Sequence, residues 1–259
     1  MVHSSVRAGR SPVAVGNPLP SIASVALLIA ALGGFLADQA HWAGRNVVAG
    51  LIGYAALSVV IAVVAGIGQG RIGFGIANQV TLLRAGLACL AGGALLAGGS
   101  PSALDWSLAA LVAVALSLDS VDGWLARRFG LSSSFGARFD LEIDALLILI
   151  LALLVWRADR AGAWVLAIGL LRYLFVLAGW VFPRLRAPLP ASRRRQAVCV
   201  QQGVTLLMCL LPPVSAMLAS LAAGAALLAL LASFAADVIY LAGARDPERP
   251  YPRLDCRTN

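Results

Sequence analysis

Eight stretches of the chain are apolar over roughly the 20 residues that a helix needs to cross a bilayer. They lie at about 21–37, 46–67, 78–98, 104–127, 136–156, 161–182, 197–218 and 220–243. In hydrocarbon a backbone must satisfy its own N–H and C=O groups, and runs of this length do so as α-helices. Charge content agrees: 12% of the 259 residues are charged, against about 25% in a soluble domain, and mean hydropathy is +0.87. The expectation is an all-α integral membrane protein with eight spans. The first run is the shortest, but it is not a cleavable signal, because a second span follows at once.

The basic residues predict the orientation. The chain has no lysine, and all 20 positive charges are arginine. With the N-terminus inside, sixteen fall in cytoplasmic segments. Arg45, Arg157 and Arg160 fall outside, and Arg172 lies within a span. That asymmetry fits the positive-inside rule with both termini cytoplasmic. The arginines are scattered over short loops, which argues against nucleic-acid binding and leaves anionic lipid headgroups as partners. Cys89, Cys199, Cys209 and Cys256 show no CxxC spacing, so neither a zinc site nor a disulfide framework is expected.

Four segments follow. Residues 1–20 are polar and rich in Ser, Gly and Pro, a flexible cytoplasmic lead. Residues 21–67 hold two accessory spans of almost no polar content, and the glycine-rich "GIGQGRIGFG" after them reads as a junction. Residues 71–244 hold six spans, and 245–259 form a charged, proline-rich cytoplasmic tail.

Acids interrupt the apolar pattern in one place, "LDSVDGWLARRFGLSSSFGARFDLEIDALLILI". At 100° per helical residue, Asp119, Asp122, Gly123 and Ala126 fall within a sector of about 100°. Asp140 and Asp144, four apart, share a face, with Gly136 one turn before them; Glu142 points away. The first helix leaves the membrane near Arg128, and the next re-enters antiparallel near Gly136. At about 1.5 Å per residue, Asp119 and Asp144 lie roughly 13 and 12 Å in, and Asp122 and Asp140 roughly 9 and 6 Å. The four carboxylates can therefore meet. Four like charges in a low dielectric repel and protonate unless cations join them. All-oxygen ligation suits Mg²⁺ or Mn²⁺, and two ions about 4 Å apart favour displacement at phosphorus. Gly123 and Ala126 leave room for a bulky group, and Arg127 offers a cation to a phosphate. Hydrogen bonding between helices needs one or two acids rather than four. A proton or cation pathway, as in a transporter, does not account for Gly123, Ala126, Arg127 and Gly136.

Written out, D119-x-x-D122-G123-x-x-A126-R127, eight residues, G136-x-x-x-D140-x-x-x-D144 resembles, at every position, the signature of the CDP-alcohol phosphatidyltransferase family. The resemblance covers the six-helix unit at 71–244 and leaves the first two helices outside. It implies an enzyme that displaces CMP from a CDP-linked lipid donor, usually CDP-diacylglycerol, with an alcohol acceptor, in phospholipid biosynthesis. It implies that Asp119, Asp122 and Asp140 hold one metal ion and Asp119, Asp140 and Asp144 a second. Asp144 is then also the base for the acceptor hydroxyl. Gly123, Ala126, Arg127 and Gly136 line the donor pocket. It further implies a homodimer, with its site open to the cytoplasm, and we expect a bacterial inner membrane protein. Upstream, "ANQVTLLR" is similar to the family's P-N-x-x-T-x-x-R segment, with Ala77 in place of proline; this adds Thr81 and Arg84 to the donor contacts. An inactive relative serving as a scaffold is the remaining alternative, and the intact motif disfavours it.

The motif does not name the acceptor. Arg172 lies within a span, where a cation seeks an anionic partner. Arg193, Arg194 and Arg195 precede the seventh span, followed by Gln196, Gln201 and Gln202, and Asp237 lies in the last. One reading is a pocket for an acceptor that already carries phosphate, such as glycerol 3-phosphate or inositol phosphate, because guanidinium grips phosphate through paired hydrogen bonds. The others are a positive-inside anchor for Arg193–Arg195 and, for Arg172, a structural pairing with Asp237 or a backbone carbonyl. A neutral alcohol, or phosphatidylglycerol, stays open as acceptor.

Overall fold

The computed structural model describes residues 18–39, 42–67, 76–96, 106–129, 134–182 and 192–243. All the regular structure among them is helical. The helices are α1 (Pro18–Gln39), α2 (Gly44–Ile67), α3 (Ile76–Leu96), α4 (Trp106–Phe129), α5 (Ser134–Arg157), α6 (Leu166–Val181), α7 (Arg193–Cys209) and α8 (Ala216–Gly243), with a 3-10 turn (Ala163–Val165) before α6. The polar lead, most of the glycine-rich junction and the tail lie outside the described residues.

Each apolar window carries a helix, but the bounds differ where local chemistry intervenes. α1 has 22 residues, longer than its apolar run, and opens on Pro18, whose missing N–H costs nothing in a first turn. α7 starts at Arg193, so the three arginines form its first turn rather than a loop, and it ends at Cys209. Pro212 and Pro213 follow, and a helix does not continue through them. Ser215 caps α8: its Oγ accepts from the Leu218 N–H at 3.3 Å, which satisfies one otherwise orphaned donor.

Four helical segments among the described residues are long and apolar enough to cross a membrane: Leu19–Gln39, Gly44–Val64, Ala163–Val181 and Ala216–Leu241. Outside these four, Trp106–Asp119 of α4 is a shorter apolar helix, α5 is diluted by acids and α7 has 17 residues. Among the described residues there are thus eight α-helices, four segments of which are long and apolar enough to cross a membrane.

α3 and α5 organise the bundle. α3 packs against α1, α2, α4 and α5, and α5 also packs against α6 and α7; α7 pairs with α8. Leu147, Leu151, Leu154 and Val155 of α5 are all but fully buried. α2 and α3 approach closely. A Cβ on Gly93 would stand 2.1 Å from the Asn46 carbonyl oxygen and 2.8 Å from the Gly50 nitrogen, and a Cβ on Gly50 would stand 2.8 Å from the Leu90 Cα. Backbone meets backbone there, which only small residues permit. Trp42, between α1 and α2, donates its indole N–H to Ser107 Oγ on α4 at 2.9 Å. Val25 and Ile29 of α1 and Tyr54 and Ile61 of α2 share a cluster with Leu82 and Ala85 of α3 and with Phe139 and Ile143 of α5. The first two helices are therefore built into the core that carries Asp140 and Asp144, a dependence that their bland sequence does not reveal.

Candidate active site

The site is assembled from three helices. α4 brings Asp119, α5 brings Asp140 and Asp144 one turn apart, and α3 brings Thr81 and Arg84, three apart on one face. One carboxylate oxygen from each of Asp119, Asp140 and Asp144 lies within 4.8 Å of the others. The antiparallel, depth-matched arrangement expected from the spacing thus brings these three together. Asp122, Gly123, Ala126 and Arg127 lie on α4, but their side chains fall outside the described residues. Gly136 sits at the start of α5.

Arg84 is the most buried charged residue among those described, at 1% exposure. Its Nη1 donates to Asp140 Oδ1 at 2.5 Å and lies 3.2 Å from Asp119 Oδ1; its Nη2 bonds Asp144 Oδ1. The sequence pointed to Arg84 as a donor contact, not as a bridge among the acids. A buried carboxylate cluster needs positive charge, and the arginine's forked donors reach all three acids. Thr81 and Asn78 are buried on the same helix.

The donor set fits a divalent cation. Three hard oxygen ligands from two helices converge within a span that one ion can bridge, and no soft ligand takes part. The cluster could hold a metal ion through Asp119, Asp140 and Asp144.

Two cavities adjoin the acids. A smaller one, about 290 Å³, is bordered mainly by apolar residues of α4, α5 and α7, including Leu116, Leu147 and Val204. A larger one, about 740 Å³, runs from Asp119, Asp140 and Asp144 to Arg172, Arg195 and Asp237. Its size lies within the common range for ligand pockets, about 300–1,000 Å³. Phe175 of α6 and Phe234 of α8 meet edge to face in its wall, ring centroids 5.4 Å apart.

The arginines singled out in the sequence divide. Arg172 and Arg195 line the larger cavity; Arg193 and Arg194 do not. Arg172 Nη2 donates to Glu142 Oε1 at 2.5 Å, so its partner is the acid that points away from the cluster rather than Asp237 or a backbone carbonyl. Asp237 instead accepts from Arg194 Nη2 at 2.5 Å and lies 3.6 Å from Arg195 Nη1. Three arginines in a first turn face the positive end of the helix dipole, and the α8 acid offsets this. Sequence reasoning missed Ser233 and Phe175 in the cavity wall. The available signal was that Ser233 and Asp237 are four apart on a helix face already marked by an acid.

No curated protein and no solved structure matches the chain. A model of the CDP-alcohol phosphatidyltransferase family matches residues 74–236, more than half of the sequence and the part that contains the carboxylate cluster, Arg84, Arg172 and Arg193–Arg195, with Asp237 one residue beyond it. With four helices apolar enough for a bilayer, this is a membrane enzyme of phospholipid biosynthesis that transfers a phosphatidyl group from a CDP-alcohol. The chain belongs to the CDP-alcohol phosphatidyltransferase family.

Proposed function

We propose that the enzyme transfers the phosphatidyl group of CDP-diacylglycerol to a phosphorylated polyol, such as glycerol 3-phosphate or inositol phosphate, and releases CMP. One observation carries this: the carboxylate cluster opens on a 740 Å³ cavity whose walls hold Arg172 and Arg195. A phosphate monoester carries close to two negative charges at neutral pH, and each arginine presents several donors to it. Arg172 spends only Nη2 on Glu142.

In this proposal Asp119, Asp122, Asp140 and Asp144 hold two Mg²⁺ or Mn²⁺ ions, which when bound would neutralise the diphosphate and the departing CMP. Thr81, Arg84, Gly123, Ala126, Arg127 and Gly136 receive the cytidine diphosphate. Arg172 and Arg195, with Arg193 and Arg194 behind them, orient the acceptor. Asp144 takes the proton from its hydroxyl. The hydroxyl oxygen forms a bond to the lipid-bearing phosphorus as the bond from that phosphorus to the bridging oxygen breaks, and that oxygen leaves on CMP.

The proposal also covers setting. Both termini and the site face the cytoplasm of a bacterial inner membrane, as the arginine asymmetry supports; residues 71–244 form the catalytic unit, and the enzyme acts as a homodimer. The test of function is lipid mass spectrometry on purified protein given CDP-diacylglycerol, Mg²⁺ or Mn²⁺, and a panel of acceptors. The expected product is a phosphatidyl polyol phosphate. A product formed only from an uncharged alcohol or from phosphatidylglycerol would refute the phosphate pocket.

A further inference from the structure

Arg194 and Arg195 are neighbours in the first turn of α7, and a helix turns about 100° from one residue to the next. Their side chains therefore reach different places. Arg195 lines the larger cavity and Arg194 does not. Both nevertheless meet one atom, Oδ1 of Asp237 on α8, which lines the cavity too.

The two contacts are unequal. Arg194 Nη2 donates to Oδ1 at 2.5 Å, a charge-assisted hydrogen bond. Arg195 Nη1 lies 3.6 Å from the same oxygen, beyond hydrogen-bond reach. The Asp237 side chain is 12% exposed and that of Arg194 43%. A carboxylate buried to this degree needs a cation beside it. Among the described residues, the second cation within 4.0 Å is Arg195, so an Asp237 deprived of Arg194 would turn to Arg195. A carboxylate seated on a guanidinium takes donors that a phosphate would use, and its charge repels the phosphate.

We propose that Arg194 is a positioning residue for acceptor binding: it holds Asp237 from outside the cavity and so keeps that acid from closing on Arg195. The inference rests on the larger cavity being the acceptor site, and it gives a role to an arginine that does not line it. Because the role is electrostatic, it predicts a sign that packing does not. Removing the charge of Asp237 should undo the damage done by removing Arg194.

The test measures acceptor KM, donor KM and kcat for CMP release by the full-length protein with CDP-diacylglycerol and Mg²⁺. Glycerol 3-phosphate and inositol 1-phosphate serve in turn as acceptor. Arg194→Gln should raise the acceptor KM about tenfold, the scale of one hydrogen bond to a charged group. Donor KM and kcat should stay within about twofold, as when uniform binding is lost. Combining Arg194→Gln with Asp237→Asn should bring the acceptor KM back to within about threefold of wild type, a coupling that independent sites do not show. Arg194→Lys, which keeps a cation beside Asp237, should recover most of the loss. Asp237→Asn alone should raise the acceptor KM less than Arg195→Ala does. These last two variants decide the matter if Arg194→Gln does not fold. A double variant no better than Arg194→Gln would mean that Arg194 meets the acceptor itself or only supports the fold, and would overturn the inference. So would Arg194→Lys or Asp237→Asn matching the loss in Arg195→Ala. Arg195→Ala also tests the pocket. If it leaves the acceptor KM unchanged, or if the wild type turns over neither acceptor, the phosphate pocket falls and the role of Arg194 with it. If Arg195→Ala raises the acceptor KM and the double variant shows no recovery, the pocket stands and the role of Arg194 alone is lost.

Discussion

Where α2 crosses α3, Gly93 and Gly50 let the backbones touch, and a single Cβ would strike the Asn46 carbonyl. Where α6 and α8 border the carboxylates, 740 Å³ remains between them. The two regions serve one site. α3 delivers Arg84 to the acids, so its position tolerates little error. The α6–α8 side, which on the proposed reading receives the acceptor, keeps space lined with polar groups. Close packing and open space are thus divided between the two regions, with Arg84 on the tightly packed, rigid side and Arg172 and Arg195 on the loose side, in the wall of the cavity.

Deleting residues 1–67 should break the rigid side most severely. It uncovers Leu82, Ala85, Phe139 and Ile143 together, and Phe139 and Ile143 directly precede Asp140 and Asp144. The expected outcome is loss of a monodisperse protein on size exclusion in detergent. A folded truncation with wild-type CMP release would show that the first two helices are accessory. Gly93→Leu comes next: its obstacle is backbone, so the loss should exceed the roughly 3 kcal/mol typical of an overpacked core. Thermal unfolding in detergent would register it, and an unchanged Tm would contradict the contact.

On the loose side, effects should be kinetic. Arg172→Ala should raise the acceptor KM by about tenfold while leaving the donor KM within about twofold, as an interaction lost equally from ground and transition states would. Equal change in both constants would place Arg172 outside the acceptor pocket. Glu142→Gln should be smallest. The pair it makes with Arg172 is largely exposed on the acid's side, and such pairs stabilise little. Its Tm should stay within about 2 °C, with the acceptor KM rising less than in Arg172→Ala. A larger rise than in Arg172→Ala would mean that the acid itself meets substrate.

What the sequence disclosed follows the same division. The acids on α4 and α5 were legible because helical geometry repeats: spacings of three and four project to one face wherever the helix sits. Helix existence was legible because apolar length demands it. The first turn of α7 was not, since three consecutive arginines look like a loop until Asp237 on another helix is seen beside them. Nor was Arg84 as a bridge. Its spacing from Thr81 gives a face on α3, but which acids that face meets depends on how α3 docks, and that is set by Gly50 and Gly93 across a different interface. Pairings between helices, such as Glu142 of α5 with Arg172 of α6, leave no local pattern.

The central claim is that Asp119, Asp140 and Asp144 act together as a metal-binding catalytic cluster. Its most direct measurement is Mn²⁺ binding by electron paramagnetic resonance alongside CMP release, for wild type, Asp119→Asn, Asp140→Asn and Asp144→Asn. All four proteins should insert and purify alike. The wild type should bind Mn²⁺ and require it, or Mg²⁺, for turnover. Asp119→Asn and Asp140→Asn should lose at least about 99% of turnover and bind Mn²⁺ at least about tenfold more weakly, the scale seen when a metal site loses one of its supporting groups. Asp144→Asn should lose turnover while retaining donor binding better. Wild-type turnover in chelator, or more than a few per cent of activity in Asp119→Asn or Asp140→Asn, would contradict the account.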